Sequence, residues 1–317
     1  MIRCLYCYQI LNKNEIDFHP ACSKKMFGKP IPPLLPYTEA QMEELATQII
    51  RSQITVTGVQ PKLSLDIAKG KNKNDRERFT IVGLWGGYIL KPPTQQYPQL
   101  PEVEDLTMHL ATLANINTVP HCIIRLQTSN LAYITKRIDR NKEKKIHMED
   151  MCQLTERLTE DKYHGSYEQI AKAISTYSVN PGLDIINFFE QVLFSFLTGN
   201  ADMHLKNFSL INQPDIGYIL AQAYDMVATA LVNPADNEEL ALTLNGRKRK
   251  IKKNDFTSAF TAFKLEEKVQ QNIFKKFETA IPKWMEFIDI SFLSDEMKIQ
   301  YKELIYKKHE QLSINNN

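Results

Sequence analysis

A chain of 317 residues, 43% of them hydrophobic, is long enough for two domains or one bilobal domain and apolar enough to bury a core, which excludes a disordered chain. A formal net charge of +2 excludes an argument for nucleic acid from global balance, so any polyanion site must come from local clustering. Five cysteines, three of them within the first 22 residues, fit metal or free thiols in a reducing compartment better than a disulfide framework.

The start, "MIRCLYCYQILNK", has no apolar signal-peptide core, so a cytoplasmic protein is expected. Within residues 1–28, Cys4, Cys7, His19 and Cys22 form two pairs, each with two intervening residues. That spacing suits a structural Zn²⁺, and equally a small packed cap with buried thiols. "KPIPPLLPY" carries four prolines and cannot be helical, which bounds an N-terminal cap and linker at 1–36. From Thr38, a possible N-cap, "TEAQMEELATQIIRSQ" spaces Met42, Leu45 and Ile49 as a helix does. "ITVTG", "KLSLDIA", "RFTIVG" and "GGYILK" predict consecutive antiparallel strands. "PEVEDLTMHLATLAN" predicts a helix, and "HCIIRLQ" and "LAYITKRI" two further strands around a turn at "TSN". Helical patterns then take over: "MEDMCQL", "SYEQIAKAISTY", "LDIINFFEQVLFSFLTG" and amphipathic stretches from 264 onward. The longest apolar run is interrupted by Glu190, so no membrane span is expected. The expected fold is α+β and bilobal, with a β-rich lobe at 37–140 and a helical lobe at 141–317.

"GNADMHLKNFSL" follows the most apolar helix directly, with Gly199 placed to end it. "FSLI" and "GYILA" flank the turn-rich "NQPDIG" as a hairpin, and "AYDMV" brings Asp225 after it. Phosphoryl transfer needs an Asp to orient the hydroxyl nucleophile, an Asn and a second Asp to hold Mg²⁺, and a Lys on the phosphates. Asp202, Asn207, Asp225 and Lys91 can fill those roles, and Asp202 precedes Asn207 by the five residues that separate their counterparts in protein kinases. Taken singly, each residue reads as a capped turn; the order of the set carries the weight.

"TVTGVQPKLSL", "YILKPP", "EVEDLTMHLA", "KRIDR", "HMEDMCQLT", "NADMHLKNFSL" and "AYDMV", in this order, resemble the HipA-like serine/threonine kinases of bacterial toxin–antitoxin operons. The early position of the glycine-containing loop resembles the short HipT form, whose missing subdomain is a separate HipS protein beside the DNA-binding HipB. The resemblance implies a kinase-like fold with ATP and Mg²⁺ as cofactors, Asp202 as catalytic base, Asn207 and Asp225 as metal ligands, and Lys91 on the nucleotide. Glu104 matches an acid that pairs with that lysine, whereas Val103 departs from the family's Asn. Lys136 and Ile138 lie where backbone groups meet adenine; His204 holds the loop, and Lys206 either neutralises the transferred phosphate or is solvated. Thr55, Val56, Thr57 and Gly58 fall in the loop over ATP, with Thr55 and Thr57 at the family's autophosphorylation positions. A phosphate there adds about −1.5 to −2 charges where ATP must sit, and is expected to inhibit.

In the family the targets are aminoacyl-tRNA synthetases, so the implied partners are such a synthetase, a HipB-like antitoxin and a HipS-like small protein, with no direct nucleic-acid binding required. "GRKRKIKK" places six basic residues between Arg247 and Lys253, either as a solvated loop or as a docking surface for an acidic partner. A non-catalytic ATP-binding module of a repressor complex, or a small-molecule kinase, are the alternatives.

Overall fold

The short β-branched runs assemble into a five-stranded sheet, and their order is not that of the chain. The computed structural model describes residues 2–42, 44–45, 62–68, 76–82, 85–141 and 144–313. Strands β1 (Leu63–Ala68), β2 (Arg78–Ile81), β3 (Tyr88–Lys91), β4 (His121–Arg125) and β5 (Leu131–Lys136) lie in the order β2-β1-β3-β5-β4. All neighbours are antiparallel, with registers such as Leu65↔Ile81, Leu63↔Leu90, Leu90↔Ile134 and Ile123↔Tyr133. The β4–β5 hairpin turns at Ser129, whose φ of 77° marks the expected "TSN" turn. The hairpin docks through β5, so β3 and β4 are not neighbours. Leu63, Leu65, Phe79 and Leu90 are fully buried, as alternating strand residues facing one core must be.

The chain divides into two compact units, residues 1–105 with 119–142 and residues 106–118 with 143–317; the division falls inside the helix Leu100–Leu113. In the first unit the N-terminal segment packs with the sheet: Ile123 N–H donates to Leu5 O at 3.3 Å and Tyr88 Oη to Met26 O at 3.3 Å. The helix Pro20–Phe27 starts on Pro20 and stops at Gly28, which takes φ 83° and donates to Lys24 O. Its Phe27 ring meets Phe79 edge-on at 5.8 Å. Of the helix expected from Thr38, only part lies among the described residues, and "ITVTG" lies outside them.

In the second unit "MEDMCQL" is not one helix. Met148–Asp150 forms β8, following the short strands β6 (Arg140–Asn141) and β7 (Lys144–Lys145), and pairs with β9 (Ser209–Gln213) in the register Met148↔Ile211. The helix begins only at Met151, because Asp150 caps it and Gln153 completes a capping box. β9 and β10 (Gly217–Leu220) form the expected hairpin, with Ile219 opposite Ile211. The helix Pro181–Thr198 is the centre of the unit: Phe188, Phe189, Phe194 and Phe196 are all 0% exposed. Each contributes about 1.5–3 kcal/mol of burial, against rings that include Phe256, Phe260, Phe277 and Trp284. The basic run is divided in its tasks: Lys248 pairs with Glu238 at 3.3 Å, Lys253 lies 4.9 Å from the Phe274 ring centre, and Ile251 is buried. No helix among the described residues is long and apolar enough to cross a membrane.

Candidate active site

In the second unit, Pro181–Thr198 ends where the polar segment needs it to end. Gly199 takes φ 69° and its N–H returns to Ser195 O and Phe196 O. A Cβ there would lie 2.7 Å from Leu304 Cδ2 and 3.1 Å from Ala230 Cβ, so the left-handed turn and the space both favour glycine. Thr229 Oγ1 accepts from Ala201 N–H at 2.9 Å, and Gly199 O accepts from Ala230 N–H at 3.0 Å. The loop is therefore fixed from its first residue.

Asn200 Oδ1 accepts the Asp202 N–H at 3.2 Å, and Asp202 O accepts both the His204 N–H at 2.8 Å and Asn207 Nδ2 at 2.9 Å. The single 3-10 turn Leu205–Asn207 supplies the five-residue offset, so Asp202 and Asn207 are joined by a side-chain bond across one loop. This leaves the Asn207 amide oxygen as the end that a hard cation would take. Tyr224 Oη donates to Lys206 O at 3.0 Å and lies 2.5 Å from Ser209 Oγ, tying the segment that leads into Asp225 onto the same loop. Asp225 itself takes φ 60°, an uncommon conformation for a non-glycine residue and one that concentrates at functional sites.

The structure adds partners that the sequence did not reveal. Tyr163 Oη donates to Asp202 Oδ1 at 2.5 Å, and its ring meets His204 edge-on at 4.9 Å. Burial and the Asp202 charge push the Tyr163 hydroxyl well above its ordinary value, so it remains a donor. Burial pushes the His204 imidazole below its ordinary value against the pull of Asp202, and the ring packs against Tyr163. Lys206 is paired with Asp150 Oδ2 at 2.6 Å, linking the loop to the cap of the earlier helix that begins at Met151. Tyr163 sits in "TEDKYHG", a loop with no periodicity, and only its proximity to Asp202 identifies it.

In the first unit, Lys91 ends β3 and its Nζ donates to Glu104 Oε1 at 2.5 Å; the two residues are 4% and 1% exposed. The ammonium also lies 5.5 Å from the centre of the Tyr133 ring. Lys136 is exposed, with its N–H donated to Pro120 O at 2.8 Å, and Ile138 is half-buried. Thr55, Val56, Thr57 and Gly58 lie outside the described residues.

Two buried donor or acceptor atoms of the loop, Asn200 Nδ2 and His204 Nδ1, have no hydrogen-bond partner among the described residues. A buried polar atom left so is costly unless a ligand or water satisfies it. Asp202, Asn207 and Asp225 also offer hard oxygen donors of the kind Mg²⁺ takes, so the residues present fit a magnesium-bound phosphate.

The family profile described as HipA-like C-terminal domain matches residues 54–285. A kinase-named protein of Haemophilus influenzae is 30% identical over 248 residues, covering 72% of this chain and 68% of that protein. The serine/threonine-protein kinase toxin HipA of Shewanella oneidensis is 27% identical over 215 residues, covering 62% of this chain and 47% of its own length. Among solved structures, the Shewanella oneidensis complex of HipA, HipB and operator DNA contains a chain that aligns with a TM-score of 0.67 at 22% identity, covering 90% of this chain and 74% of that one. That likeness concerns the fold, which is bilobal and kinase-like here as expected.

Proposed function

The chain belongs to the HipA-like family, and from that premise we propose that it is an ATP- and Mg²⁺-dependent serine/threonine protein kinase acting as the toxin of a bacterial toxin–antitoxin system. The observation that carries this reading is the buried pair of Lys91, at the end of a sheet strand, with Glu104 on the following helix. Protein kinases use that pairing to aim a lysine at nucleotide phosphates. A buried ion pair contributes little net stability, so stability alone does not account for placing a lysine and a glutamate there.

In the proposed reaction Asp202 accepts the proton of the substrate hydroxyl, after Tyr163 releases its hydrogen bond to the same carboxylate. Asn207 and Asp225 would hold Mg²⁺, which would supply charge neutralisation on the transferred phosphoryl group. Gly199 and Thr229 keep the loop from shifting during transfer. Lys206, held by Asp150, orients the loop and would supply positive charge to the transferred phosphate.

The protein substrate is proposed to be an aminoacyl-tRNA synthetase, so that tRNA charging fails. HipB in the Shewanella oneidensis complex supports a HipB-like antitoxin partner. A HipS-like small protein, a cytoplasmic setting and self-inhibition by phosphate on Thr55 or Thr57 complete the proposal. Phosphoproteomics of cells expressing the wild type beside Asp202→Asn tests it: the wild type adds phosphate to one or few proteins, and the variant to none. If no protein gains phosphate, the kinase-toxin reading fails. Intact-mass analysis after incubation with ATP separately reads autophosphorylation.

A further inference from the structure

We propose that Cys4, Cys7, His19 and Cys22 form a structural Zn²⁺ site that clamps the N-terminal segment onto the first unit, independently of the phosphoryl-transfer reading. One ligand atom from each of the four residues falls within 4.8 Å of all the others. Cys7 Sγ lies 3.4 Å and Cys22 Sγ 3.7 Å from His19 Nδ1. Zinc bonds of about 2.3 Å to sulfur and about 2.0–2.1 Å to nitrogen place tetrahedral ligands roughly 3.5–3.8 Å apart, so these separations are the edges of a zinc tetrahedron. Thiol hydrogen bonds to the imidazole account for two of the sulfurs, whereas a four-ligand metal accounts for the third, Cys4 Sγ, converging on the same point.

The groups around the ligands are arranged as a metal requires. His19 Nε2 lies 3.1 Å from Ile10 O, and a carbonyl accepts only, so Nε2 carries the proton and Nδ1 presents its lone pair to the sulfurs. The His19 N–H points at Cys4 Sγ at 3.5 Å, a contact that favours a thiolate. Cys22 lies in the first turn of Pro20–Phe27, which sets its sulfur beside the His19 ring. Cys4 and Cys7 sit in a tight turn closed by Tyr8 N–H to Cys4 O at 2.9 Å, inside an Arg3–Ile10 antiparallel bridge. Tyr8 takes φ 61° where such knuckles commonly use glycine, and its hydroxyl donates to Asp105 Oδ2 at 2.7 Å in the core. That bond explains why a tyrosine occupies a position that is strained for it.

Four protein ligands leave no open position for a substrate, which makes the site structural. The clamp holds the segment that meets the sheet at Leu5–Ile123 and reaches, through Tyr8 and Asp105, the helix carrying Glu104. When Zn²⁺ binds, the three thiols lose their protons to solvent, so affinity weakens as the pH is lowered.

The full chain, expressed with zinc and purified without chelator, tests this by elemental analysis and by mercurial-triggered release to a chromogenic chelator. The expected result is one Zn²⁺ per chain, reduced at least tenfold in Cys7→Ser and Cys22→Ser and unchanged in Cys152→Ser. Because a variant can lose zinc by failing to fold, wild-type protein reconstituted with Co²⁺ provides a second measurement. A tetrahedral d–d spectrum with a thiolate charge-transfer band supports the site. Wild type without metal, whether its thiols titrate as free or as a disulfide, overturns it, as does an octahedral cobalt spectrum.

Discussion

Replacing either partner of the Lys91–Glu104 pair separates a structural role from a functional one. At 4% and 1% exposure, neither group can recover hydration without rearrangement, so removing one partner leaves the other charge buried and costs about 3–5 kcal/mol. Lys91→Met is expected at the upper end of that range. Glu104→Leu is the milder change, because the Tyr133 ring 5.5 Å away still offers the ammonium a cation–π contact of about 0.5–2 kcal/mol. The double variant replaces both charges with apolar groups of similar volume and is expected within about 1 kcal/mol of the wild type or above it. Urea unfolding, followed by far-UV circular dichroism and by hydrogen exchange of β3 amides, measures all four proteins; phosphotransfer is expected to be absent in all three variants. Single changes costing less than about 1 kcal/mol, or a double variant whose cost equals the sum of the two, would refute the buried-pair argument. A stable double variant retaining phosphotransfer would refute its functional half.

Three further outcomes follow from individual contacts. Tyr163→Phe removes the hydroxyl that occupies the Asp202 carboxylate, so phosphotransfer is expected to be retained or raised, while Asp202→Asn loses about 10²–10⁴-fold; equal inactivation of both would assign Tyr163 to the chemistry itself. Burial, with the Asp105 charge adding to it, pushes the Glu102 carboxyl up to about 7 from an ordinary value of 4.5. The folded chain thus keeps a proton that the unfolded chain releases, and stability falls between pH 4.5 and 7 by up to about 3 kcal/mol. Glu102→Gln is expected to flatten that slope in urea titrations, and a wild-type-minus-variant difference independent of pH would count against it. Gly199→Ala forces a Cβ into a left-handed turn and onto Leu304, costing about 1–2 kcal/mol in thermal unfolding and displacing the catalytic loop; unchanged stability and rate would contradict the account of that turn.

The sequence alone was enough to order the parts of this protein. Short β-branched runs named the strands of the sheet, the apolar helix and Gly199 announced the polar loop, and the Asp202–Asn207 offset and the two Cys/His pairs were legible because local chain geometry imposes their spacing. Tertiary structure decided what depends on approach across the chain. It inserted β5 between β3 and β4, and it made Met148–Asp150 a strand because β9, some sixty residues later, offered it a partner. It brought Tyr163 to Asp202 and Asp150 to Lys206, contacts that no periodicity encodes. It also turned four spaced ligand candidates into a cluster by folding Pro20–Phe27 back against the first turn. Spacing along a chain is fixed by covalent and hydrogen-bond geometry over a few residues. Which distant side chains meet is settled only when the whole core is packed, because burial is a property of the assembled surface and not of any segment.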